Sequence, residues 1–158
     1  MPTVIARATV KRRAAASAAA AKRLLRRISS ASGAIHSAEI SLLLVGARDM
    51  RALNLRFRGI DAVTDVLSFP LTDAGPVGAA EVLGDIVICL PLAAARARRR
   101  RCPLEDELAV LLTHGMLHLL GYDHATPAAA RAMAEAEMGV LAAIGRDPEL
   151  ALIGRALG

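Results

Sequence analysis

From Leu108 to Tyr122 the chain runs 15 residues without a charged side chain. Leu108, Leu111, Leu112, Gly115 and Leu119 form one helical stripe, and Val110, Met116 and Leu117 fill much of the remaining surface. A helix that is apolar nearly all round has to be enclosed by protein, because this stretch falls short of the ~18 apolar residues that a membrane span needs. The expected fold therefore wraps other elements around one buried central helix, Leu104–Leu120. Glu105, Asp106 and Glu107 open that helix, where negative charge complements the helix dipole. No membrane is expected as a partner.

The remaining sequence supplies the wrapping. Short runs rich in Ile, Leu or Val, most of them bounded by Gly, Pro or Asp, predict strands at Val4–Val10, Glu39–Val45, Asp65–Phe69 and Gly84–Cys89. Helices are expected at Arg13–Ile28, Arg48–Arg58, Pro91–Arg101 and Pro127–Ile144. The last has clear punctuation: Thr126 as N-cap, Pro127 at the first helical position and Gly145 just past the end. No repeat or linker interrupts the 158 residues, so residues 1–158 read as a single α+β domain. Trp is absent and only Phe57, Phe69 and Tyr122 are aromatic. The core must be aliphatic, and a base-stacking platform built from several aromatics is not expected.

Charge is unevenly placed. Residues 1–38 hold eight Lys/Arg and no acid, although the whole chain is only +5. Clustered cations suit a polyanion such as RNA, because they displace its condensed counterions, and they equally suit a solvated helix face. The same composition resembles an organellar transit segment, against which stands the reading of an ordinary first strand and helix of the domain. Cys89 and Cys102 lack C-x-x-C spacing, and a reducing compartment, the cytoplasm, fits them best.

Three of the four histidines fall within the central helix and its exit, His114-Gly-Met-Leu-His118-Leu-Leu-Gly121-Tyr-Asp-His124. Four-residue spacing puts His114 and His118 on one helix face, and a glycine at 121 lets the chain turn so that His124 swings back. This His-x3-His-x5-His pattern provides three metal ligands in the long zincin motif. Three protein ligands leave a coordination position open for water or substrate, whereas structural zinc sites typically use four. In zincin peptidases, however, the residue after the first ligand is the glutamate base, and here it is Gly115. Asp123 is left either to hold or deprotonate something at the site or to cap a turn. Arg58, near a helix end, suits either the last carbonyls of that helix or, beside a metal, a phosphate held by two parallel hydrogen bonds. Three imidazoles also suit nickel or copper.

The blocks Leu53-Asn54…Arg58-Gly59…Thr64-Asp65-Val-Leu-Ser68-Phe69-Pro70, Leu83-Gly84-Asp85-Ile86-Val87-Ile88 and His114…His124 together resemble the YbeY family of bacterial and organellar endoribonucleases. The resemblance spans residues 53–124. It implies a small mixed sheet of about four strands surrounded by five to six helices. It also implies one Zn2+ per chain on His114, His118 and His124, a functional arginine at Arg58, and cleavage of single-stranded RNA. That activity would serve maturation of ribosomal RNA, including the small-subunit 3′ end, and ribosome quality control, with the small subunit or assembly factors as partners. Val63 stands where the family commonly has proline, and Arg96 with Arg98–Arg101 is unusually basic, an added RNA contact or a solvated helix end. Two rival readings are a metallopeptidase using Asp123 and a non-catalytic assembly factor whose zinc only holds the fold.

Overall fold

The computed structural model describes residues 3–8, 14–34, 38–71 and 82–152. Four strands form one mixed sheet: β1 (Thr3–Ala8), β2 (Glu39–Val45), β3 (Val66–Pro70) and β4 (Val82–Cys89), in the order β1-β2-β4-β3. β1, β2 and β4 run parallel, and β3 pairs antiparallel with β4 at the edge. Five helices surround the sheet: α1 (Ala14–Ala31), α2 (Ala47–Arg58), α3 (Leu90–Arg100), α4 (Leu104–Leu119) and α5 (Pro127–Ala143). A further helical turn begins at Leu150. The expected α+β architecture with a mixed four-stranded sheet is the one observed.

β2 shows why the two faces differ. Its Ile40, Leu42 and Leu44 point into the larger core with Leu24, Leu25 and Ile28 of α1 and Leu108, Leu112 and Met116 of α4. The opposite face meets a smaller cluster around Val45, Met50, Leu67, Val87 and Cys89, under α2. Within the larger core α4 is the enclosed helix its composition demands, with Leu108, Ala109, Leu112 and Met116 fully buried. Burying each large aliphatic side chain contributes about 1.5–3 kcal/mol.

The expected boundaries shift for local reasons. α1 continues past Ile28 to Ala31; the Ser29 hydroxyl bonds back to the Leu25 carbonyl, and that of Ser32, just past the helix, to the Ile28 carbonyl, both at 2.6 Å. β4 begins at Val82 rather than Gly84, since Val82 already pairs with Glu39 across a bulge. Gly84 has φ +140, and a Cβ there would lie 2.2 Å from the Phe69 carbonyl oxygen, so only glycine lets β3 approach. The ends of the expected first strand and the start of the expected first helix (residues 9–13) lie outside the described residues. Within them, β1 and α1 are built into sheet and core: Val4, Leu25 and Ile28 are buried, and Arg27 donates to the Ile144 carbonyl at the end of α5. Both cysteines are free thiols, and no described helix is long and apolar enough to cross a membrane.

Candidate metal centre

α4 delivers His114 and His118 side by side, and its C-terminus delivers the third ring. The helix closes with two bonds, from the Gly121 N–H to the His118 carbonyl and from the Tyr122 N–H to the Leu117 carbonyl. Gly121 takes φ +96, the left-handed conformation this ending requires. The reversed chain sets the His124 ring 5.3 Å from that of His118 and 6.1 Å from that of His114, centroid to centroid. One ligand nitrogen from each of the three lies within 4.8 Å of the others.

This donor set fits a small borderline cation. Nitrogens bound at 2.0–2.1 Å in a tetrahedral shell lie roughly 3.4 Å apart, and the Nε2 atoms of His114 and His118 are 3.1 Å apart. His114 and His118 are half-buried while His124 is exposed, so the trio forms a cup with one open side. Burial pushes the pKa of His118 below its ordinary value, His114, His124 and Arg58 push the same way, and a hydrogen bond to the Tyr122 backbone opposes them. A neutral imidazole is the form that ligates.

Arg58 is the last residue of α2, exposed, and its charge acts on His118. Bonds from the Gly59 and Ile60 N–H groups to the Leu55 and Asn54 carbonyls close the helix, so these carbonyls do not need the guanidinium. Among the described residues Arg58 has no ion-pair partner. The loop that follows is pinned by Arg51 to Asp61 at 2.6 Å and by Asn54 Nδ2 to the Ala62 carbonyl at 2.9 Å, on the near side of Val63. Asp65 then accepts from the Val66 N–H and pairs with Arg96 of α3. The Thr64-Asp65 portion of the motif is thus a brace that orients the edge strand.

Other residues separate into roles that local pattern did not assign. Gly115 faces the sheet: a Cβ there would meet Ile86 Cγ2 at 3.1 Å and Ser68 Oγ at 3.2 Å. A glutamate at this position would enter the β3–β4 face, so this backbone has no room for the zincin base. Asp123 accepts from the Ala125 N–H at 3.1 Å, a turn-shaping contact. The arginine cluster splits. Arg96 and Arg100 are ion-paired inward, the latter to buried Glu107 at 2.6 Å, and Arg101 takes the left-handed cap of α3, leaving Arg98 and Arg99 exposed. The solvated-end reading therefore fails for Arg96 and Arg100.

Glu137 was not anticipated. It lies on the face of α5 that Met133, Val140 and Leu141 bury, is 4% exposed, and places Oε1 2.7 Å from Nδ1 of His114. Its four-residue spacing from Met133 on an apolar face is the one sequence signal that marks it.

Comparisons with known proteins identify relatives of the chain. The family model for "Endoribonuclease YbeY" matches residues 5–145. A protein called endoribonuclease YbeY from Anaeromyxobacter sp. is 54% identical over 120 residues, 76% of this chain and 58% of its own length. Homonyms from Moorella thermoacetica and Bordetella pertussis are 43% and 46% identical, covering 77% and 78% of this chain and 82% and 80% of theirs. The chain thus spans less than two thirds of the Anaeromyxobacter relative but most of the others. The solution structure of a Thermotoga maritima protein matches with TM-score 0.55 at 24% identity over 90% of each chain, a likeness of fold. With a family model across nearly the whole described structure and these relatives beside it, the chain belongs to the endoribonuclease YbeY family.

Proposed function

We propose that this protein is a zinc-dependent endoribonuclease specific for single-stranded RNA, with one Zn2+ held by His114, His118 and His124 and with Arg58 addressing the phosphate. The observation that carries the reading is three converging imidazole nitrogens within 4.8 Å of one another, open on the His124 side, with an arginine charge in reach and glycine rather than glutamate following the first ligand in sequence. Zinc bound there supplies Lewis acidity toward a phosphate oxygen and lowers the pKa of its water toward ~7. The chain's own groups do the rest. Arg58, free of other anions among the described residues, offers two parallel donors to the phosphodiester and offsets the negative charge that grows in the transition state. The open side admits a flexible strand, and the half-buried walls around His114 and His118 limit competing water.

The peptidase alternative loses support because residue 115 has no room for a base and Asp123 is occupied in its turn. A purely structural zinc is less consistent with a three-ligand cup open to solvent. The same reading treats residues 1–158 as one metallohydrolase domain, a view supported by α1, α4, α5 and the sheet sharing one contiguous core. It places the protein in the cytoplasm, acting on ribosomal RNA, at the small-subunit 3′ end and in ribosome quality control, with the small subunit or assembly factors as partners. The test is metal analysis of the purified protein followed by incubation with single-stranded RNA, duplex RNA and an unstructured peptide. Cleavage of single-stranded RNA alone, abolished by chelator and by His114→Ala and restored to wild type by zinc, is expected. Undiminished cleavage by chelated or His114→Ala protein would overturn the reading.

A further inference from the structure

His114 has two ring nitrogens, and they face different surroundings. Nε2 looks toward His118, 3.1 Å from that ring's Nε2, while Nδ1 meets Glu137 Oε1 at 2.7 Å. The glutamate comes from another helix, 23 positions along the chain. Only 6% of its side chain is exposed, on the buried face of α5, where it lines a cavity together with Arg100, Glu107, Val110, Leu111 and His114. A buried carboxylate is costly unless donors compensate it, and the Nδ1 side of His114 is one of the polar groups that this one meets. No such carboxylate meets the ring of exposed His124 among the described residues.

We propose that Glu137 is a positioning residue for the metal centre: its carboxylate accepts the Nδ1–H of His114 and holds the ring with Nε2 unprotonated and aimed at the ion. A neutral imidazole carries one donor and one acceptor, and an ionised carboxylate only accepts, so the proton resides on Nδ1 and the lone pair on Nε2. The terminal torsion of histidine is broad, and a 2.7 Å charge-assisted bond selects one ring orientation from it. Three neutral imidazoles also leave a dication uncompensated, and Glu137 brings a negative charge one imidazole ring away from it. This inference rests on the reading of the three histidines as a metal site.

Two measurements test it. In metal-free wild-type protein at neutral pH, long-range nitrogen–proton NMR correlations are expected to show His114 protonated on Nδ1; a proton on Nε2 overturns the proposal. In competition with a chromophoric chelator, Glu137→Ala is expected to bind zinc about 10–100-fold more weakly. Glu137→Gln, which keeps the shape and an oxygen acceptor, is expected to lose roughly several-fold, and Glu135→Gln, exposed on the same helix, to bind as wild type does. Zinc affinity within twofold of wild type in folded Glu137→Gln and Glu137→Ala overturns it as well. If the Ala variant does not fold, the Gln variant and the wild-type tautomer still decide. A wild-type protein that binds no zinc overturns the reading of the site itself, and the tautomer measurement then judges Glu137 alone.

Discussion

The histidine site has two halves made by different physics. His114 and His118 stand on a helix enclosed by α1, α3, α5 and the sheet, one ring backed by Glu137 and the other by the Tyr122 backbone. His124 stands in an exposed turn, with no hydrogen-bond partner for its ring among the described residues. The first half is positioned by the core; the second is positioned by a helix ending at the surface. If the three histidines hold an ion as proposed, two ligands would come from the core and one from the exposed, open side.

The comparison breaks most severely if the rigid half is loosened. Glu107 lies seven residues before His114 on α4, is 1% exposed, and is the partner of Arg100, itself almost fully buried. Glu107→Ala strands that guanidinium, so we expect a loss of about 3–5 kcal/mol in urea unfolding, with a lowered zinc affinity at temperatures where the variant still folds. A loss under 1 kcal/mol would mean that α4 does not depend on this pair.

A smaller effect follows from proton uptake. Because burial holds the folded-state pKa of His118 below its ordinary 6.5, the folded form resists the proton that the unfolded chain accepts. Stability without metal is therefore complete above about 6.5 and falls as the pH drops through the lowered folded value, by about 1.4 kcal/mol for each pH unit that separates the folded and unfolded values. Thermal unfolding in chelator between pH 8 and pH 5, a range set by the histidine pKa, should show this acid-side loss in wild type. His118→Gln should show less of it; equal slopes would remove His118 as the cause.

The smallest effect belongs to the exposed half. His124→Ala should leave metal-free stability within about 0.5 kcal/mol of wild type, as surface changes do, while zinc affinity drops sharply. A large loss of metal-free stability would show that the turn belongs to the frame after all.

What could be read beforehand follows the same division. The three histidines, the enclosure of α4, and the Thr126, Pro127 and Gly145 punctuation of α5 are local patterns, and the structure realises each: Thr126 Oγ1 accepts from the Ala129 N–H, and Gly145 is left-handed. Glu137 and the inward turn of Arg96 and Arg100 were not legible. Their partners lie on other elements, and a run of arginines at a helix end looks the same whether its members face water or a buried carboxylate. The meaning of Gly115 was half legible: its sequence showed a missing base, and only packing against Ile86 and Ser68 shows that no base has room there.

The proposed site divides labour between three imidazoles that hold the ion and one arginine that meets the phosphate. It is tested most directly by measuring zinc content and single-stranded RNA cleavage together in Arg58→Glu. One zinc per chain is expected, as in wild type, with cleavage slower by about 10²-fold or more. Wild-type cleavage by zinc-loaded Arg58→Glu would contradict it.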